Sequence, residues 1–319
     1  MKKILLLLLS FFVFTAIYSQ RKSDLKAQSI SYSMFNSDEE TEDEEYEDSN
    51  RGFTFGIDLG VYFANKKTSN IYNGNISAFD GDLENAQGVW FTVAERFNLN
   101  PNLRSQLIQT INDEYPEYNQ TVTDFVIDDL DYSYDMNYQP RLYFALNATY
   151  HLSDYWAIVA KSSLANLKAN AVYTMTLIGP LPPQNASEVI EQFDISGEEQ
   201  RLHLDLGFKN TSYNDYGFQW FWGGGMSLVG AKVEANTAFI GERAFPLILR
   251  NNGNFQLPQE FDATQPSYNI GFYATTGFEM EYQDRYTFGI GFNLSRDPIE
   301  LGTYKEDVWN SRVFITFGI

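Results

Sequence analysis

Residues 281–294 read EYQDRYTFGIGFNL. After the polar turn the chain alternates without a break, with Tyr286, Phe288, Ile290, Phe292 and Leu294 on one side and Thr287, Gly289, Gly291 and Asn293 on the other. A period of two is the strand period. One face is aromatic and aliphatic, the other glycine and small polar groups, and tyrosines stand at the rim. Which of the two faces meets the exterior decides the fold.

The same counting predicts seven further strands. The first lies in RGFTFGIDLGVYFA (51–64), with Phe53, Phe55, Ile57, Leu59, Val61 and Phe63 on one face. The second covers about 139–151, and the third runs from about Tyr155 into the 160s or 170s. The fourth covers about 200–212, the fifth about 217–234 and the sixth Tyr268 to Tyr282. The opening stretch is the seventh, and VFITFGI, 313–319, is the eighth. Connections alternate in length: HLSDYW, SYNDYG and EYQDRY are tight polar turns, whereas about 65–137, 178–199, 235–267 and 295–308 are long. An even number of antiparallel strands, with short turns at one end and long loops at the other, predicts an all-β, eight-stranded antiparallel transmembrane β-barrel with both termini on the periplasmic side.

A secreted barrel of lipocalin type shows the same alternation with its apolar face inward. The opposite face argues against that here, because it carries Gly56, Gly60, Gly207, Gly223, Gly225, Gly271, Gly277, Gly289, Gly291 and Gly318 where a water-facing surface would carry Lys, Glu and Thr. Glycine in a strand marks a place where space is short. The interior of eight strands is just wide enough for side chains, so small residues belong inside and the aromatic face in lipid. Tyr150, Trp156, Tyr216, Trp220, Tyr282 and Tyr286 stand beside the short turns, where an aromatic belt at the bilayer interface is expected.

The beginning of the chain is of a different kind. In MKKILLLLLSFFVFTAIYSQ, two lysines precede an apolar run too short for a spanning helix, which reads as a signal peptide over 1–19. Residues 38–48, DEETEDEEYED, hold nine acidic side chains in eleven and cannot pack, so 20–50 is expected to be a disordered acidic periplasmic tail preceding a 51–319 barrel. It reads as a solvated spacer, with docking of a basic partner or Ca²⁺ as the alternative. The net charge of -20 argues against nucleic acid and bare anionic lipid as partners. With no Cys, neither disulfides nor thiolate metal sites are available.

On this topology and pattern, the chain resembles the OmpA/OmpX-like eight-stranded outer-membrane barrels over 51–319. Its signal, with Gln20 at the new start, is similar to those of Bacteroidota exports. The resemblance implies the outer membrane of a Gram-negative bacterium and contact with its lipid. Two features depart from the family: Ile319 stands last where an aromatic residue is usual, although Phe317 keeps the pattern, and no peptidoglycan-binding domain follows. PorT-type barrels linked to secretion are similar in signal and strand count, but the first loop here is far longer.

The interior then receives Asp58, Arg141, Lys161, Arg201, His203, Asp205, Lys209, Glu279 and Arg312. Charges in a narrow lumen must pair, which favours a salt-bridged plug over a conducting path. Enzymatic outer-membrane barrels rely on a histidine near the outer rim with a Ser or Asp partner. Only His151 and His203 exist; His151 sits at a periplasmic turn, and His203 shares a face with Asp205 without an identifiable serine nucleophile. No catalytic residue, metal site or cofactor is expected. The first loop, 65–137, holds NPNLRSQLIQTINDEYP, where Asn100 is placed to cap a short amphipathic helix over 101–113 carrying Leu103, Leu107 and Ile111. The loop aromatics Phe79, Trp90, Phe91, Phe97, Tyr115 and Tyr118 supply a small core for a lid or a partner-binding surface. The leading expectation is a non-enzymatic structural or accessory subunit that binds another envelope or secretion component. A small-substrate pore or binder is the alternative, and a lipid-modifying enzyme comes last.

Overall fold

The computed structural model describes residues 52–75, 92–98, 101–118, 121–128, 132, 136–181, 186–212, 218–248, 266–282, 286–301 and 304–319. The expected signal peptide and acidic tail, together with Phe79, Trp90, Phe91, Asn100 and Tyr216, lie outside them. The strands are β1 (Phe53–Phe63), β2 (Asp124–Val126), β3 (Asn137–Tyr138), β4 (Arg141–His151), β5 (Trp156–Leu181), β6 (Ala186–Ser212), β7 (Phe218–Ile240), β8 (Arg243–Pro246), β9 (Ser267–Tyr282), β10 (Tyr286–Leu301) and β11 (Tyr304–Gly318). The α-helices are α1 (Lys66–Ser69), α2 (Val93–Asn98) and α3 (Pro101–Glu114).

Eight of the strands form a closed ring in the order β5-β4-β1-β11-β10-β9-β7-β6, with β6 returning to β5. Closure leaves no edge in the half with the short turns, whereas beyond Phe63↔Ser311 and Arg296↔Phe272 the β10–β11 hairpin continues without flanking strands. The register pairs Ile57 with Phe317, Ile290 with Ile315 and with Phe278, and Leu164 with Leu202. Through this register, Phe288, Ile290, Phe292 and Leu294 join Phe317, Ile315 and Val313, and Phe278, Met280 and Phe272, in an exposed apolar girdle around the end of the barrel with the short turns. Tyr150, Trp156, Trp220, Tyr282 and Tyr286 stand at its lower rim, all exposed. The inward glycines make room for interior side chains. At Gly291, an added Cβ would fall on the ring of Phe314, which fills the lumen.

Two connections expected to be loops are largely strand. Most of 178–199 belongs to the β5–β6 hairpin, paired up to Leu181↔Ala186, and most of 295–308 belongs to the β10–β11 hairpin, paired up to Leu301↔Tyr304. Pro298 sits inside β10 because its ring nitrogen faces β9, where the β9–β10 ladder ends at Arg296↔Phe272, so the missing N–H breaks no ladder bond.

In this distal half the polarity of the wall is inverted. On β5 the outward side chains are Trp156, Ile158 and Leu164 and then Asn166, Lys168 and Asn170, while the inward ones change from Lys161 and Ser163 to Leu167, Tyr173, Met175 and Leu177. Into the distal cavity folds the insert between β1 and β4. The expected helix over 101–113 is α3, with Leu107, Thr110 and Ile111 on its buried face. α2 begins with a reciprocal capping box in which Thr92 Oγ1 accepts from Glu95 N (3.0 Å) and Glu95 Oε2 accepts from Thr92 N (2.9 Å). Val93, Phe97, Leu107 and Ile111 pack with Tyr173, Met175, Leu177, Phe193, Ile195, Val233 and Ile240 of the wall in one apolar core.

Candidate functional site

The lumen of the girdled half is crossed by ion pairs that succeed one another from the turn end upward. Lys209 Nζ lies 2.7 Å from Glu279 Oε2 and 5.2 Å from the centre of the Phe221 ring. Lys161 Nζ lies 2.6 Å from Asp58 Oδ2 and over the ring of Phe314 at 4.2 Å, and Asn147 Nδ2 donates to Asp58 Oδ1 at 2.7 Å. Next, Arg312 Nη1 donates to Asp205 Oδ2 (3.2 Å) and Ser163 Oγ (3.4 Å), and Ser227 Oγ also donates to Asp205. Both members of that pair are buried. Losing one member of such a pair costs about 3–5 kcal/mol, because the survivor is left charged in a poor solvent.

Above it, His203 and Asp205, placed on one face by the sequence pattern, do not form a pair. His203 Nε2 lies 3.1 Å from Asp297 Oδ2, whose other partners are Asn310 Nδ2 (2.7 Å), Ser295 Oγ (3.0 Å) and Tyr62 Oη (3.4 Å). His203 and Asp205 share a face of β6 but each reaches across the lumen, His203 to Asp297 on β10 and Asp205 to Arg312 on β11. The uppermost pair is Arg201 Nε to Glu199 Oε1, 2.5 Å, and it ties wall to insert: Arg201 Nη2 donates to Thr68 Oγ1 (2.8 Å), and Glu199 Oε2 accepts from Tyr138 Oη (2.5 Å) and Tyr72 Oη (3.1 Å). The Tyr72 ring lies against Gly197, where a Cβ would overlap it.

Of the nine interior charges expected, eight lie in these pairs. Arg141 is the exception: it is half-buried at the far end of β4, has no ion pair among the described residues, and its Nε is unpartnered. Sequence reading missed Glu199 and Asp297. Both keep step with inward neighbours, Glu199 with Arg201 and His203, Asp297 with Asn293 and Ser295, so extending the strands by a few residues would have found them. His151 is half-buried at the turn end of β4, with Nε2 3.4 Å from Thr54 Oγ1. No group of three His, Cys, Asp or Glu that could hold a metal occurs among the described residues.

The helices of the insert are tied to the two short strands added to the distal wall, β2 on β5 and β8 on β7. Arg104 Nη2 donates to Phe125 O on β2 (2.7 Å) and Nε to Asp124 Oδ1 (3.1 Å), while Arg96 Nε donates to Pro246 O on β8 (3.0 Å). Arginines thus cover the short edge strands that would otherwise be open to pairing. Tyr118 donates its hydroxyl to Glu191, and burial first, this carboxylate second, hold its phenol above the usual tyrosine range.

No family model matches the chain, and no curated protein does either. Among solved structures it is similar to Neisserial surface protein A, at 6% identity and a TM-score of 0.36 over 84% of this chain and 95% of that one. The outer membrane protein OprG from Pseudomonas aeruginosa aligns at 10% identity and a TM-score of 0.35, over 85% of this chain and 98% of that one. Ail, the attachment invasion locus protein of Yersinia pestis, aligns at 8% identity and a TM-score of 0.31, over 83% and 97%. At such scores the likenesses say nothing of a ligand or partner. The barrel itself rests on its own closed strand register. No helix among the described residues is long and apolar enough to cross a membrane, which leaves crossing by strands untouched.

Proposed function

We propose that this chain is a non-enzymatic barrel of the Gram-negative outer membrane, a structural or accessory subunit that binds another envelope component through its distal half. One observation carries the reading. Among the described residues, buried ion pairs and the rings of Phe221 and Phe314 cross the lumen of the girdled half, and the apolar core of the insert occupies the distal half. A filled lumen supports a closed scaffold over a conduit, and the exposed apolar girdle supports a bilayer around the turn end.

In this orientation the short turns and both termini face the periplasm, and the acidic segment 20–50 offers a partner a second surface, on the periplasmic side. The test has two arms. Purified protein in planar bilayers should give no conductance steps, and a stoichiometric protein should accompany it through mild-detergent purification. Steady conductance would move the function to a small-solute pore, and purification without a partner would remove the subunit reading. Protease added to intact cells should spare 20–50 and reach it once the outer membrane is opened; cleavage in intact cells would invert the orientation.

A further inference from the structure

Beyond the girdle, the outward face of β5 and β6 becomes polar at Asn166, Lys168, Asn170, Glu198 and Gln200, with Lys168 Nζ 3.7 Å from Glu198 Oε1. Past this collar a second apolar zone opens on the same strands. Val172 and Ile178 on β5, Ile190 on β6 and Val126 on β2 all point outward, joined by Thr174 and Thr176. The register sets Val126, Thr176 and Ile190 in one row across three strands. Ile190 is 67% exposed, Val172 41% and Val126 40%.

This zone is not the girdle continued. Val172 stands eight residues beyond Leu164, the last outward aliphatic before the collar, which is about 26 Å along a strand. Lipid that covers Leu164 would have to pass a band of amides and charge to reach it. An apolar patch of this kind with a polar rim marks a protein contact. The rim charges that lack an ion pair are of one sign. Glu188 pairs across the ladder with Ile178 and Asp194 with Val172, and neither carboxylate has an ion pair with any described residue. Asp124, on the third strand, is already neutralised by Arg104.

We infer that the outward face of β2, β5 and β6 docks a segment of another envelope protein in which aliphatic side chains stand beside Lys or Arg. The inference names the partner chemistry for the subunit reading above and rests on it. A second copy of this chain fits poorly, because a two-fold contact would bring Glu188 and Asp194 against themselves.

The test places a photo-crosslinking amino acid at Ile190, with Lys305 on β11 as the control position, in intact cells. The link from Ile190 should reach one protein, and the linked peptide should carry Lys or Arg within a few residues of an aliphatic side chain. Ile190→Ser, and Glu188→Lys combined with Asp194→Lys, should each weaken capture about tenfold, and added salt should mimic the charge reversal. The heat-dependent gel shift of each variant, expected unchanged, shows that the barrel still folds. A link to lipid, to a second copy or to another segment of the same chain overturns the inference, as does an acidic linked peptide or capture indifferent to the substitutions. If the unaltered protein keeps a stoichiometric partner that all these variants also keep, the subunit reading survives and this surface falls. If the unaltered protein has no partner, the subunit reading falls first.

Discussion

On β5, Leu164 faces out and Leu167, three positions on, faces in, and between them lies the border of two opposite ways of building a wall. The girdled half is apolar outside and charged inside, so its order leans on ion pairs and hydrogen bonds set beside a small cluster that includes Tyr143 and Phe314. The distal half is polar outside and apolar inside, and it is ordered by side-chain packing against the insert. The same continuous strands serve both, which shows that the ladder is indifferent to what it separates. The medium on each side selects the residues.

The largest effect of that contrast belongs to the charged interior. Arg312→Met leaves Asp205 with only its serine and should cost about 3–5 kcal/mol in urea unfolding, whereas the double variant Arg312→Met, Asp205→Leu should recover most of the loss. Equal damage from the single and double variants would mean that packing, and not charge, orders this half. The outward faces provide the sharpest comparison. Ile290→Lys in the girdle should destabilise the protein in lipid by about 2–4 kcal/mol, while Ile190→Lys on the distal wall should stay within about 0.5 kcal/mol. Similar costs at both positions would erase the distinction between the halves.

A smaller effect, confined to one half, is expected from Leu107→Ala. Opening the distal core should cost about 3 kcal/mol locally, and be read as protease cleavage within 101–118 while the heat-dependent gel shift of the barrel is kept. Loss of that shift would show that the halves unfold as one. The smallest concerns Tyr118. Its phenol is held above the usual value, so its contribution is complete below about pH 10, the ordinary tyrosine range, and is lost as pH rises through the higher folded value. Protease resistance of the insert should therefore be flat from neutrality to that point and fall above it. Tyr118→Phe should lower it by about 1–2 kcal/mol at all pH values below. A response centred well below pH 10 would assign the tie to another group.

What the sequence made legible follows from the same contrast. The strands of the girdle announce themselves because Phe, Ile, Trp and Tyr hold one parity and Gly and small polar groups the other, and the closed ring of eight follows that reading. The distal extensions were hidden because the apolar parity changes between Leu164 and Leu167, which to a counting eye ends a strand. Gly179, Pro180 and Pro298 then add the appearance of turns. The α3 helix was visible from Pro101 and its 3–4 spacing, but the cavity it fills was not, since Met175, Phe193 and Ile240 lie far away in sequence. For the interior charges, parity told which face each occupies and nothing of its azimuth around the ring, so His203 was set beside Asp205 on its own strand and not opposite Asp297.

Every seam of the ring but one joins barrel strands that follow each other along the chain; the exception joins β1 to β11, Ile57 to Phe317. Long-range pairing is slow to form because loop closure must precede its reward. The insert follows β1 directly and docks on β5, β6 and β7, which are assembled from local hairpins. Once docked it holds β1 near the growing sheet, and raises the effective concentration of the first strand at the site where the last one arrives. The packed insert therefore serves assembly order as much as final stability: it is a clasp that keeps the beginning of the chain waiting where its end will be needed.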